Sequence, residues 1–139
     1  MHDLPHARPG NSPKSILVVE DDQVVRMLTV EVLEELGYRV FEAEDAPQAL
    51  AILERDQPLD LLMTDISLPG ISGRQLMTLA RRLRPQLPVL FASGYAEADY
   101  PDEGPQAEVA ASTAQVASLS KPFSLESLRT TVQRLLEQP

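Results

Sequence analysis

A chain of 139 residues with no cysteine and a formal charge of -9 fits one domain, large enough to fold without disulfides and unable to build a thiolate metal site. Its 12 basic residues face 21 acidic ones and form no dense run, which excludes wrapping nucleic acid, because phosphate neutralisation needs a basic surface. Apolar runs are too short to span a bilayer and residues 1 to 14 hold no apolar signal core, so the expectation is a soluble cytoplasmic protein without a membrane partner.

Residues 1 to 13, polar and punctuated by Pro5, Pro9 and Pro13, are expected to be a disordered leader, with the folded domain over 14 to 138. Both histidines, His2 and His6, lie in that leader. SILVVE (15 to 20) reads as strand β1. Residues 21 to 37 then change to helical spacing as α1, with Val25, Leu28, Val32 and Leu36 expected on the inward face, Asp22 as cap and Gly37 at the end. YRVFEA (38 to 43) is β2, and 45 to 56 is α2, capped by Asp45 and opened by Pro47. LDLLMTD (59 to 65) is β3, 72 to 84 is α3, and PVLFAS (88 to 93) is β4. The acidic segment 95 to 117 interrupts the rhythm with Pro101, Gly104 and Pro105, leaving a loosely packed α4 somewhere in 105 to 116. SLSK (118 to 121) is a weak β5, and 124 to 138 is α5, capped by Ser124. Repeated βα units whose strands are too apolar to alternate imply an α/β fold, a parallel sheet with helices on both faces. Met27, Met63 and Met77 read as core filler.

Such a sheet gathers its chemistry outside the carboxyl ends of the strands. β1 ends in Glu20-Asp21, β3 in Asp65, β4 in Ser93-Gly94 and β5 in Lys121-Pro122. Taken singly, each has an ordinary explanation: Asp65 as a strand-end turn former, Lys121 as a solvated cation, Ser93 as a locally bonded hydroxyl, and Asp22 as a helix cap. Together, three carboxylates in one crevice repel one another unless a cation joins them. Hard oxygens suit Mg²⁺, which prefers one or two carboxylates plus waters and a phosphate oxygen. A carboxylate in that setting can act as nucleophile toward phosphorus, with Lys121 supplying charge and Ser93 a hydrogen bond. Asp65 is the best-placed nucleophile, Pro69 and Gly73 shape the loop after it, and Gly94 lets the backbone come close.

The stretches ILVVEDD, MTDISLPGISG, PVLFASGY and SKPFSLESL resemble the receiver domain of two-component response regulators, over about residues 14 to 138. The resemblance implies a flavodoxin-like, doubly wound five-stranded sheet in order 2-1-3-4-5. It makes Asp65 the phosphoacceptor and Glu20 and Asp21 the acidic pair, favouring Asp21 as the direct Mg²⁺ ligand, with the backbone carbonyl of Ser67 as a further one. Ser93 and Lys121 match the family's Ser/Thr and Lys. The phosphoryl group would come from a histidine kinase or a histidine phosphotransfer protein, and a downstream protein target would be met through the α4-β5-α5 face. Such a domain catalyses only its own phosphorylation and dephosphorylation.

Departures stand beside the match. Ser118 occupies the place of the family's aromatic residue, three before the Lys, which puts the usual coupling to the α4-β5-α5 face in doubt. FASGY is similar to receivers of hybrid kinases and some single-domain regulators, so Tyr95 or a rearranged 95 to 117 segment is expected to carry the signal. With no output domain after Gln138, a single-domain regulator is favoured over a receiver cut from a longer chain. Two rival functions are a pseudo-receiver that only binds, and a Mg²⁺-dependent phosphatase with an Asp nucleophile. The second wants an Asp two residues after the nucleophile, where this chain has Ser67.

Overall fold

A computed structural model of the chain describes residues 13–93, 116–121 and 123–137. The expected leader up to residue 12, Gly94, Pro122, and the acidic segment from Tyr95 to 115, with most of the expected α4, lie outside them, and Ser93 is described by its backbone alone.

Five parallel strands, β1 (Ser15–Val19), β2 (Arg39–Ala43), β3 (Leu61–Asp65), β4 (Val89–Ser93) and β5 (Val116–Ser120), form one sheet in the order β2-β1-β3-β4-β5. This is the expected flavodoxin-like sheet. β5 begins earlier than expected: Val116 and Ala117, read as part of the acidic segment, pair with Val89 and Leu90. Apolar residues that could fill the sheet continue upstream of Ser118, so composition shifts there before the strand does.

Alternate strand residues feed two cores. Leu17, Val19, Leu62, Val89 and Phe91 pack with α2 (Ala46–Leu53) and α3 (Gly73–Leu83) on one face. Ile16, Val18, Leu61, Met63 and Leu90 pack with α1 (Gln23–Glu35) and α5 (Leu125–Leu136) on the other. Both faces of the central strands are thereby removed from water, which is why those strands do not alternate with polar residues.

The helix starts are local chemistry. Asp22 accepts from the amides of Val24 and Val25, Asp45 from Gln48, and Ser124 from Ser127, as expected of capping side chains. Ser72 caps α3 in a reciprocal box with Gln75. Gly37 closes α1 at φ +101°, a conformation that disfavours other residues.

The inward stripe of α1 overlaps the expected one, with Val32 and Leu36 packed half-buried against the core, but is centred elsewhere. Thr29, Val30 and Leu33 are buried, whereas Leu28, expected inside, and Met27, expected as core filler, are 54% and 51% exposed. Val24, Met27 and Leu28 interleave with the exposed Gln23, Glu31, Glu34 and Glu35, so periodicity alone does not centre the inward face. Val30 and Leu33 belong to the core cluster that also holds Ile16 and Leu61.

Candidate functional site

Parallel register brings the strand ends to one edge. Val19 stands opposite Thr64, Asp65 opposite Ala92, and Ser93 opposite Ser120. Glu20 and Lys121 are the first residues beyond β1 and β5. Lys121 closes the crevice by donating from Nζ to Glu20 Oε1 at 2.8 Å and to Asp65 Oδ2 at 2.9 Å. The Glu20 and Asp65 side chains are almost buried, and that of Lys121 is 23% exposed.

The remaining carboxylate oxygens are also engaged. Glu20 Oε2 accepts from the amide of Asp22 at 3.1 Å, and Asp65 Oδ1 from the amide of Ser67 at 3.1 Å. Asp65 thus makes the turn-forming contact expected of an ordinary strand-end aspartate while its other oxygen serves the lysine. Burial pushes the Glu20 carboxyl above its ordinary 4.5, although Lys121 and the Asp22 amide pull the other way. For Lys121, burial works against the charge, but the hydrogen bonds and charges of Glu20 and Asp65 outweigh it and raise its pKa above 10.5.

Asp21 is exposed at the rim. Carboxylate oxygens of Glu20, Asp21 and Asp65 lie within 4.8 Å of one another, close enough to share a cation. Beneath them the interior is nearly full, a cavity of about 10 Å³ lined in part by Val18, Thr29, Met63 and Thr64. An incoming group must therefore arrive from the solvent side.

A family model described as the response regulator receiver domain matches residues 16–133. The chain belongs to that family. It is similar to the response regulator receiver protein CpdR of Brucella abortus, with 36% identity over 124 residues, 88% of this chain and 97% of that one. It is equally similar, 36% over 125 residues and 89% of this chain, to the sensor kinase CckA of the same organism, of which it spans only 13%. A CheY-like receiver domain protein from Methanospirillum hungatei superposes with a TM-score of 0.76 at 29% identity, covering 91% of this chain and 95% of that one. A receiver domain is a signalling module of a two-component system and not an enzyme with a separate substrate.

In this receiver the donor set fits a hard divalent ion: all three candidate groups are carboxylates, two buried and one open to water. Lys121 offsets only part of their charge. Of the residues expected at the site, Glu20, Asp21, Asp65 and Lys121 are brought together, and Ser67 contributes its amide to Asp65. Ser93 reaches the same edge by its backbone, and its side chain lies outside the described residues. Asp22 is a cap and not part of the cluster. Ser118 is exposed on β5 opposite Phe91.

Two contributors, Gly70 and Arg26, escaped the sequence reading, and a third, Gly73, acts from a neighbouring element. Gly70, beside the expected Pro69, holds φ +88° in the loop after Asp65. Gly73, expected to shape that loop, does so from the first position of α3, where its amide donates to Ile66 O at 2.6 Å. Arg26 donates from Nη1 to the Glu20 carbonyl at 2.8 Å. The LPG turn was a signal for Gly70; the contacts of Gly73 and Arg26 depend on distances that no local pattern carries.

Proposed function

We propose that this receiver is a phosphorylation-dependent switch, and that Asp65 accepts a phosphoryl group from a histidine kinase or histidine phosphotransfer protein in a Mg²⁺-dependent reaction in the cytoplasm. The observation that carries this reading is the placement of Asp65 with one oxygen tied to Lys121 and the acidic pair beside it. Glu20, Asp21, Asp65 and the carbonyl of Ser67 would hold the ion. Bound there, it would offset negative charge on the phosphoryl oxygens.

The chain's own groups do the rest. Lys121 keeps the Asp65 carboxylate oriented and offers its ammonium to a phosphoryl oxygen. The amide of Ser67 fixes the other carboxylate oxygen, so Asp65 presents a defined face to the attacked phosphorus. In transfer, the donor's P–N bond breaks as a P–O bond to Asp65 forms, and the donor imidazole leaves with the electron pair. Ser93 would donate its hydroxyl to the transferred group. A protein donor suits this rim because Val24, Met27 and Leu28 of α1 are exposed next to the loop bearing Asp21. The signal would then leave through protein contact at the α4-β5-α5 face.

Mixing the chain with a donor protein phosphorylated on histidine tests this. Label is expected to move to the wild type with Mg²⁺ present and to stay on the donor when Asp65→Asn is used. Equal transfer to Asp65→Asn would overturn the assignment, and no transfer from any histidine donor would favour a pseudo-receiver.

A further inference from the structure

The peptide that carries the acidic pair is gripped from outside the site. The Glu20 amide donates to Ala43 O of β2 at 3.0 Å. Its carbonyl accepts from Arg26 Nη1 at 2.8 Å, and Arg26 Nε reaches Glu42 Oε1, also on β2, at 3.3 Å. The Arg26 side chain is only 16% exposed, so this is an ordered contact and not a solvated cation. A peptide bond is planar, so fixing the Glu20 carbonyl fixes the plane that also holds the Asp21 amide. Asp21, exposed at the rim, takes its direction from that plane.

We propose that Arg26 is a positioning residue for Mg²⁺ binding, holding the Glu20–Asp21 peptide so that the Asp21 carboxylate converges with those of Glu20 and Asp65. This rests on the Mg²⁺-dependent reading above. Charge and geometry make opposite demands here, which gives the proposal a sign. A guanidinium near the cluster repels a divalent ion, so if Arg26 acted by charge alone its removal would tighten binding. If it acts by positioning, its removal weakens binding.

Calorimetric titration of Mg²⁺ into the full chain separates the two. Arg26→Met keeps the apolar stem and loses the fork; it is expected to bind Mg²⁺ about tenfold more weakly, as for other residues that orient metal ligands. Arg26→Lys keeps the charge but cannot reproduce the two-pronged geometry, and is expected about threefold weaker than wild type. Glu42→Gln leaves the carbonyl contact in place and is expected to match wild type within about twofold, because a half-exposed ion pair adds little. Melting curves without metal confirm that each variant is folded at the titration temperature. Arg26→Met binding as tightly as wild type, or tighter, would overturn the proposal. Should that variant not fold, Arg26→Lys decides in its place: unchanged or tighter binding overturns the role, and weaker binding supports it. A wild type that takes up no Mg²⁺ removes the underlying reading as well, whereas normal wild-type binding with an unaffected Arg26→Met removes only the role of Arg26.

Discussion

Replacing Lys121 with methionine is expected to destabilise the metal-free domain by about 2 to 4 kcal/mol, somewhat less than for breaking a fully buried ion pair, since the lysine is partly exposed. Its ammonium is shared by Glu20 and Asp65, and removal leaves two nearly buried carboxylates facing each other beside Asp21. Mg²⁺ should recover part of the loss, because a cation that binds only the folded state stabilises it by mass action. The lysine's folded-state pKa lies above the ordinary 10.5, which fixes the sign of the pH dependence. Its contribution is whole below that value and fades as pH rises through the raised folded pKa. The gap between wild type and Lys121→Met should therefore hold through neutrality, narrow in strong alkali as the lysine loses its proton, and narrow in acid as the carboxylates left facing each other take up protons. Urea unfolding at several pH values checks both points, and a variant as stable as wild type at pH 7 would show that Lys121 is not what holds the carboxylates.

Gly73→Ala is expected to cost about 3 kcal/mol, the upper end for overpacking, and to disturb the acceptor directly. A Cβ at this position would sit well inside contact distance of the Asp65 carbonyl oxygen, and 3.0 Å from Asp65 C and Ile66 Cα. All three are backbone atoms, so no side chain can swing aside. The first turn of α3 would have to retreat, stretching the 2.6 Å bond from the Gly73 amide to Ile66 O and moving the loop through Ser67. The change is a single methyl on a helix that is otherwise well capped, so a loss under about 1 kcal/mol in urea unfolding would contradict the close packing. On the proposed function the same variant should also bind Mg²⁺ more weakly.

What was legible in the sequence follows the range of each interaction. Asp22, Asp45 and Ser124 were readable as caps because a cap is settled within three residues. Buried strands announced themselves by unbroken apolar runs, and the strand order came with the family resemblance. Glu20, Asp21, Asp65 and Lys121 could be gathered on paper because parallel strands put their carboxyl ends on one edge. Their connection could not: Lys121 meets Glu20 across 101 positions, and nothing local says that one ammonium serves two acids. The face of α1 was only partly read, since Val24, Met27 and Leu28 lie among its exposed polar residues Gln23, Glu31, Glu34 and Glu35 and blur the boundary of the apolar stripe. Gly73 and Arg26 act on backbone atoms of other segments, and such contacts depend on packing that periodicity does not encode.

Exposure of the chain to a small acyl phosphate with Mg²⁺, followed by intact mass, reads the acceptor chemistry without any partner protein. One phosphoryl adduct is expected on the wild type, lost on adding a chelator beforehand and lost in Asp65→Asn. An unmodified wild type, or an adduct that persists in Asp65→Asn, would contradict the assignment of Asp65 as the group that takes the phosphoryl.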